Sequence, residues 1–502
     1  MNYLRIPKEV ALADIRAKNT SFSPSMYRQV VIPTSKTKRI ADVLEQNSPF
    51  DKGIEPGSLW YIKRSPYYFI RTKALQDYSY LLYPKGGAIV PINPKVFEDP
   101  ELGVGDILMS KDSNVGECAI VDSDQWKNHM FSGGIVRLHP QVDRYYFFAF
   151  IKHQLFKAQL VAMTARGATI THAKTLWLDC LIPFPNQSNA DRVIQYVSAL
   201  TQAAIEKETA IRERSDRINK LIQAELEGNQ KQGGFHFEYP HTSEVRHLKR
   251  LDAAIYSEEY KSKIWLIENY SHGYLTPTAD GFKVIPGPSL EIKIIGTRID
   301  SDIPKSGFYA LILPTNISIY GTMNVITYLG TKKKLPLLQQ GDIIFGEAGF
   351  QKGRSIVLLD GIENCTTNAH GLYARRTDGN IEKSIFFRCI FNWYRSMRLV
   401  DLMAVGGSGG HFSPEYFYYI RIPKFPDEKQ EQIVRLYHNP SPPPSWMPTL
   451  DNFVEWHRGW NNNLGIWELD REMKILQKTL SNTQDQIMEG KTIKVPFHDK
   501  WN

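Results

Sequence analysis

The sequence predicts an α+β protein with two similar domains, each followed by a long helix. The two helices are expected to pair antiparallel as a coiled coil, about a pseudo-two-fold axis. Three observations carry this prediction. Residues 190–227 contain neither glycine nor proline, several landmark segments of the first half recur in the same order in the second half, and a heptad pattern returns over residues 466–487.

The central helix is predicted to begin at Ala190, after a serine–asparagine cap, and to end at Gly228. At 1.5 Å per residue it would span about 55 Å. A helix of this length cannot bury itself, so it needs a partner helix. Lys207 and Arg214 fall on core-facing positions and weaken the middle of the seam. The residues predicted to pack in this seam are Val197, Leu200, Ile211 and Ile218.

The composition limits the classes of protein that fit. A chain of 502 residues with 42% hydrophobic residues can form more than one core. The net charge of +8 suits a partner with a phosphate backbone, although a basic soluble protein is an equally good explanation of charge alone. The four cysteines are scattered, which argues against disulfides or zinc and favours the cytoplasm. The longest apolar run, residues 145–151, is too short to cross a membrane, and residues 1–8 have no signal-peptide pattern.

A second long helix is predicted in two pieces, residues 427–438 and 465–489, which together equal the length of the first. Its seam is formed by Leu469, Met473, Leu476 and Leu480, and residues 439–464 are expected to loop out of it. The predicted organisation is an N-terminal arm (1–37), a first domain (38–185), the central helix and a linker (186–232), a second domain (233–426), the second helix (427–490) and a tail (491–502).

The two domains are predicted to be copies of one module. The segment Gly105–Lys111 reads as a turn into a strand and Cys118–Val121 as the returning strand, and Gly341–Phe345 and Lys352–Val357 repeat them. Residues 143–163 and 384–403 are both predicted as aromatic-rich helices. Residues 38–44 are expected to be a short helix, echoed at 249–255, and residues 80–83 a strand.

These landmarks resemble a known family. The segment Gly105–Lys111 followed by Asn114-Val115-Gly116 is similar to a motif of the specificity subunit of type I restriction–modification systems. So is the segment Gly167–His172, followed by an Ile-Pro-Phe-Pro exit into a long helix. The resemblance covers residues 38–490, including the twofold repetition. The chain departs from the family pattern at Gly406–Gly410 and at the interruption 439–464.

The resemblance implies that each domain is a target recognition domain that reads one part of a bipartite, asymmetric sequence in double-stranded DNA. It implies that the helices act as a spacer and as docking surfaces for two copies of a methyltransferase subunit. In the family, restriction and translocase subunits join the same complex. No cofactor is expected in this chain, because S-adenosylmethionine belongs to the methyltransferase partner, and no membrane partner is expected.

Candidate DNA-binding residues lie in the turns and loops of the two domains. Lysine and arginine pair with phosphate or guanine, asparagine pairs with adenine, and a glycine-containing loop can approach a phosphate closely. The same residues are also compatible with ordinary polar turns and a solvated basic surface. The candidates are Lys111, Asn114, Arg166, Thr169 and His172 in the first half, and Lys332, Lys333, Lys352, Arg354, Ser408 and His411 in the second.

Two other functions stay open at this point. Asp280 with Glu291-Ile292-Lys293 loosely matches a nuclease pattern whose carboxylates hold Mg²⁺, which would make the chain a stand-alone enzyme. A protein-only adaptor of a defence complex would also use two similar heads. The tryptophans Trp446, Trp456 and Trp460 of the insertion would form either a small core or a docking patch. No phosphate-binding GxxxxGK[ST] motif is present, so ATP use by this chain is not supported.

Overall fold

A computed structural model describes residues 4–17, 22, 27–84, 86–163, 173–349, 352–360, 363–406 and 410–497. In this part of the chain, no helix is long and apolar enough to span a membrane. The α-helices of the described ranges are, in chain order, α1 (Leu12–Ala17), α2 (Arg144–Lys152), α3 (Gln154–Met163), α4 (Ala190–Gly228), α5 (Thr242–Leu248), α6 (Glu258–Glu268), α7 (Ile292–Ile295), α8 (Ile381–Ser396), α9 (Leu399–Met403), α10 (Asp427–Tyr437), α11 (Phe453–Asn461) and α12 (Ile466–Met488).

The chain divides into two compact units. Unit 1 comprises residues 1–209, 443–462 and 471–502, and unit 2 comprises residues 210–442 and 463–470. Both long helices are therefore shared between units: α4 begins in unit 1 and ends in unit 2, and α12 begins in unit 2 and ends in unit 1.

Unit 1 contains two larger sheets and two two-stranded pairs, β1-β2 and β3-β11. A four-stranded antiparallel sheet has the order β4-β10-β7-β8, and a three-stranded sheet has the order β6-β5-β9, in which β5 pairs antiparallel with β6 and parallel with β9. Ile70, Leu108 and Ile135 lie in one buried apolar cluster of this unit. The strands are β1 (Leu4–Arg5), β2 (Gln29–Val30), β3 (Thr37–Arg39), β4 (Phe50–Lys52), β5 (Tyr68–Ile70), β6 (Ile89–Pro91), β7 (Ile107–Ser110), β8 (Cys118–Ile120), β9 (His129–Phe131), β10 (Ile135–Leu138) and β11 (Leu181–Pro183).

Unit 2 repeats this topology. Its first sheet has the order β13-β20-β17-β18, and its second has the order β14-β16-β15-β19, with β15 antiparallel to β16 and parallel to β19. Within these two sheets, the extra edge strand β14 is the difference from unit 1. The strands are β12 (Tyr274–Leu275), β13 (Phe282–Ile285), β14 (Ile299–Ser301), β15 (Tyr309–Leu311), β16 (Thr327–Gly330), β17 (Ile343–Gly346), β18 (Ser355–Val357), β19 (Cys365–Thr366), β20 (Gly371–Arg376) and β21 (Ile422–Pro423).

The repetition extends to individual backbone angles. Gly105 and Gly341, which precede β7 and β17, have φ angles of 91° and 85°, in the left-handed region that favours glycine. The turns into β8 and β18 use Gly116 and Gly353, with φ angles of 83° and 76°. Two sequences with different side chains therefore retain glycine where the shared backbone requires it.

The aspartate after the first of these glycines has the same role in both units. Asp106 accepts hydrogen bonds from Arg137 Nη1 (3.1 Å) and from the Gly103 amide (3.0 Å). Asp342 accepts a bidentate pair from Arg375, with distances of 2.8 and 2.7 Å, and a bond from the Gln339 amide. The aspartate of the Gly-Asp-Ile motif thus links the start of one strand to the neighbouring strand by hydrogen bonds.

The second long helix is interrupted where the sequence predicts. α10 ends at Tyr437 and α12 starts at Ile466, and a side-chain carbon added to Gly465 would lie 2.7 Å from the amide nitrogens of His438 and Asn439. The His438 ring and the Asn439 amide both bond to the Glu468 carboxylate, at 2.5 and 2.9 Å. The two ends of the insertion 439–464 therefore meet.

The insertion packs within unit 1 and forms α11. Its Phe453 ring lies 5.3 Å from Phe497, and Trp456 lies 5.4 Å from Trp460. Lys207 of α4, which the sequence places on a core-facing position, is 0% exposed. Its ammonium donates to Asn461 Oδ1 (2.7 Å) and lies 5.1 Å from the centre of the Trp460 ring. Lys207 is thus accommodated by side chains of the insertion.

Three expectations about local structure were wrong. Residues 38–44 form the end of β3 and a 3-10 turn instead of a helix, because β3 pairs with the distant strand β11. The counterpart of this pair in unit 2 is β12 with β21, so residues 249–255 are not the repeat of residues 38–44. Residues 80–83, expected as a strand, make only an isolated bridge between Leu81 and Ile120.

Candidate nucleic-acid interface

One end of the main sheet in unit 1 carries the polar turns that the sequence singles out. Lys111 follows β7 directly, its amide donates to the Gly134 carbonyl (2.9 Å), and its carbonyl accepts from the Ala173 amide (2.9 Å). The Lys111 ammonium donates to Asp112 Oδ2 (2.9 Å), and the side chain is partly exposed. An ammonium has three N–H donors, so this bond does not exhaust its capacity. Asn114 is exposed in the same turn.

The same end of the sheet in unit 2 has an equivalent position with a different residue. Glu347 follows β17 directly, its amide donates to the His370 carbonyl (3.1 Å), and its carbonyl accepts from the Phe412 amide (2.8 Å). These two backbone bonds reproduce those of Lys111. Lys111 and Glu347 therefore occupy one structural position in the two units, with side chains of opposite charge.

Other predicted residues of unit 2 lie near Glu347. His411 is exposed and makes backbone bridges to Ala348 and Val405. Lys352 is mostly covered, and its ammonium pairs with Asp401 Oδ1 at 3.0 Å and lies near Gly410. The structure therefore places His411 beside the residues that follow β17.

Arg354 requires a correction. Its guanidinium is buried, at 8% exposure, and Nη1 donates to the Ile317 carbonyl (3.0 Å) inside unit 2. A buried guanidinium held by a backbone carbonyl has no open face for a phosphate. Arg354 is therefore not available for a DNA contact. The DNA contact of Lys352, whose ammonium pairs with Asp401, stays a prediction.

Lys332 and Lys333 lie in a separate place, beyond the end of β16. Both are exposed, and Lys333 Nζ donates to the Ile294 carbonyl (3.1 Å) on α7. Arg166, Thr169, His172 and Ser408 lie outside the described residues.

The charged residues of the nuclease pattern are taken up by separate ion pairs. Asp280 Oδ2 pairs with Arg376 Nη1 (3.3 Å) at the end of β20. Gly287, which precedes Glu291 in the chain, lies beside Asn368 and Gly371 at the start of the same strand. The six residues of β20 separate Asp280 from Gly287 by about 17 Å at 3.4 Å per residue, and Glu291 follows Gly287 by four residues. Glu291 pairs instead with Lys293 at 2.7 Å on an exposed surface. Among the described residues, no group of three or more His, Cys, Asp and Glu side chains could hold a metal ion.

The seam residues of the two long helices are buried as a set. None is more than 9% exposed; they are Val197, Leu200, Ile211, Ile218, Leu469, Met473, Leu476 and Leu480. Within unit 1, Gln187 and Arg192 near the start of α4 bond to the carbonyls of Ile493 and Phe497, which follow α12.

The two units thus share one sheet topology and differ in the residues of their turns. No protein-family profile and no curated protein matches the chain. Solved structures do. The chain is similar to the S subunit of a type I restriction–modification system from M. genitalium, with 13% identity, a TM-score of 0.38, and coverage of 92% of this chain and 96% of that one.

Two further structures match over similar lengths. One, described as concerning complex assembly and conformational transition of the type I system, has 12% identity, a TM-score of 0.28, and coverage of 92% and 100%. The other is the HsdS subunit from Thermoanaerobacter tengcongensis, with 12% identity, a TM-score of 0.27, and coverage of 91% and 97%. These structures belong to the family that the sequence motifs resemble.

Proposed function

We propose that this chain is the non-catalytic DNA-recognition subunit of a type I restriction–modification complex. It reads a bipartite, asymmetric DNA site, one part with each unit. The observation that carries the proposal is the repeated sheet topology of the two units, combined with turn residues that differ between them. A repeated framework with different turns is what two readers of two different sequences require.

The electrostatics support DNA as the ligand. The chain has a net charge of +8, and cations neutralise phosphates and release their counterions on binding. Lys111 and Asn114 in unit 1 and His411 in unit 2 would face the duplex from the sheet ends. Lys332 and Lys333 would contact the phosphate backbone, which fixes register without reading sequence.

The long helices would supply the spacing. We propose that α4 pairs antiparallel with α10 and α12, as a coiled coil that relates the two units by a pseudo-two-fold axis. The burial of the seam residues supports this pairing. So do two contacts of the part of α4 that belongs to unit 1: Arg192, near its start, bonds to Phe497, and Lys207, near its end, bonds to Asn461. A helix of 39 residues measures about 58 Å, and DNA repeats its groove about every 34–36 Å. The readers would therefore lie more than one turn apart.

Catalysis would belong to other chains. We propose that two copies of a methyltransferase subunit, which bind S-adenosylmethionine, dock on the helical spacer, and that restriction subunits join this assembly in the cytoplasm. This chain would determine which sequence they modify.

The experiment is methylation sequencing of the host genome with and without the gene. We expect one split, asymmetric motif that disappears on deletion. Replacing residues 38–185 with the corresponding domain of another such protein should change one half of the motif only. A change in both halves would contradict independent reading by the two units. Binding to DNA without sequence preference or salt dependence would instead favour a protein-only adaptor.

A further inference from the structure

The two units place opposite charges at one structural position. Lys111 and Glu347 each follow the strand that begins with the Gly-Asp-Ile motif, and each is fixed by one backbone bond from its amide and one to its carbonyl. The strand residues just before them, Ser110 and Gly346, are buried. Both side chains therefore extend from a rigid base, which is what a group that must meet a partner atom accurately needs.

The charge reversal restricts what this position can contact. A residue that anchors phosphate has to be cationic or a neutral hydrogen-bond donor, and a glutamate carboxylate offers only acceptors and is repelled by phosphate. Base edges in the major groove carry both kinds of group. Guanine presents the acceptors N7 and O6, and cytosine presents the N4 amino donor. A position that accepts either charge in two copies of one reader is thus suited to base edges and unsuited to the backbone.

We propose, building on the proposed function, that Lys111 and Glu347 are specificity-determining residues at corresponding places in the two half-sites. Lys111 donates to N7 or O6 of a guanine, and Glu347 accepts from N4 of a cytosine. Each half-site then contains a G·C pair at this place, and the reading side chain of unit 1 contacts the opposite kind of base from that of unit 2.

The neighbouring groups agree with this assignment. Asp112 holds the Lys111 ammonium at 2.9 Å and orients it while leaving further donors available. Lys352 lies five residues beyond Glu347 and pairs with Asp401. The positive charge near Glu347 therefore belongs to Lys352, which is paired with Asp401, and Glu347 itself remains an acceptor.

The test exchanges the two charges, one at a time, in the full chain together with its methyltransferase partner. In Lys111→Glu, we expect the requirement for guanine at one place in one half-motif to become a requirement for cytosine, with the other half unchanged. In Glu347→Lys, the reverse change should occur in the other half-motif. Affinity for the original base should fall by roughly tenfold or more in each variant. Lys63→Glu, at an exposed position elsewhere in unit 1, is the matched control and should leave the motif unchanged.

Folding of each variant is checked by resistance to protease. If a charge reversal fails to fold, Lys111→Gln and Glu347→Gln replace it, and both are expected to relax discrimination at the same place because an amide both donates and accepts. An unchanged motif in folded variants, or a uniform loss of affinity for all sequences, would overturn the assignment. Absence of any motif in the parent protein would overturn the proposed function itself, so the two failures are distinguishable.

Discussion

Replacing Asp342 with alanine should loosen unit 2 far more than the equivalent change at Asp106 loosens unit 1. The Asp342 side chain is 1% exposed and accepts two bonds from Arg375 and one from the Gln339 amide. The Asp106 side chain is 25% exposed. The two aspartates hold the same place in the repeated fold, so each is the natural control for the other.

The magnitude follows from what each substitution leaves without a partner. Removing one member of a buried ion pair costs about 3–5 kcal/mol. Arg375 is 29% exposed and keeps a bond to the Leu337 carbonyl, so water offsets part of the loss and we expect about 2–3 kcal/mol for Asp342→Ala. Arg137 keeps its pair with Asp51 when Asp106 is removed, so we expect about 1 kcal/mol there.

Hydrogen exchange measured by mass spectrometry on the full chain separates the two effects. Asp342→Ala should speed exchange of β17 and β20 peptides by roughly 30- to 150-fold, with β7 and β10 peptides unchanged. Asp378, whose side chain is 53% exposed and pairs with Arg376, provides a control on the same strand end. Because Arg376 keeps its pair with Asp280, Asp378→Ala should have little effect on stability. Similar effects for Asp342→Ala and Asp106→Ala would refute the reasoning from burial.

Three further outcomes are expected. Burial lowers the pKa of His129 to about 4, so the unfolded chain binds more protons than the folded chain between pH 6.5 and 4. The free energy of unfolding therefore falls as the pH is lowered through this range. His129→Phe should flatten this pH dependence, measured by urea unfolding, and an unchanged dependence would contradict the prediction. Trp460→Ala removes the ring beside Lys207 and should destabilise the unit 1 part of α4 by about 1–2 kcal/mol, seen as faster hydrogen exchange there and contradicted by unchanged protection. The double substitution of Lys332 and Lys333 by alanine should weaken DNA binding for all sequences and reduce the salt slope by about 2, and a changed motif would show that these lysines read bases.

The helical parts of the fold were predictable because their signals are local. The glycine- and proline-free run places α4, and the proline cluster after Asn439 separates α10 from α12. Strand β3 was missed because residues 37–39 have no strand pattern of their own. Their conformation is determined by pairing with β11, which is distant in sequence.

The candidate site was predictable in part. Counting from the repeated glycines Gly105 and Gly341 leads to Lys111 and to Glu347, so the second residue could have been found from the sequence alone. Because Glu347 is acidic, it does not fit the pattern of a phosphate-binding residue. The burial of Arg354 could not be foreseen, because it depends on the carbonyl of Ile317, which reaches it only in the folded unit.

Because the two ends of residues 439–464 meet, this segment is a suitable site for inserting further residues. Because Gly465 lies beside His438 and Asn439, residues can be inserted between them without changing the heptad register of α10 or α12. A fluorescent protein or an affinity tag grafted at the exposed Met447 should therefore leave the heptad registers of α10 and α12 unchanged.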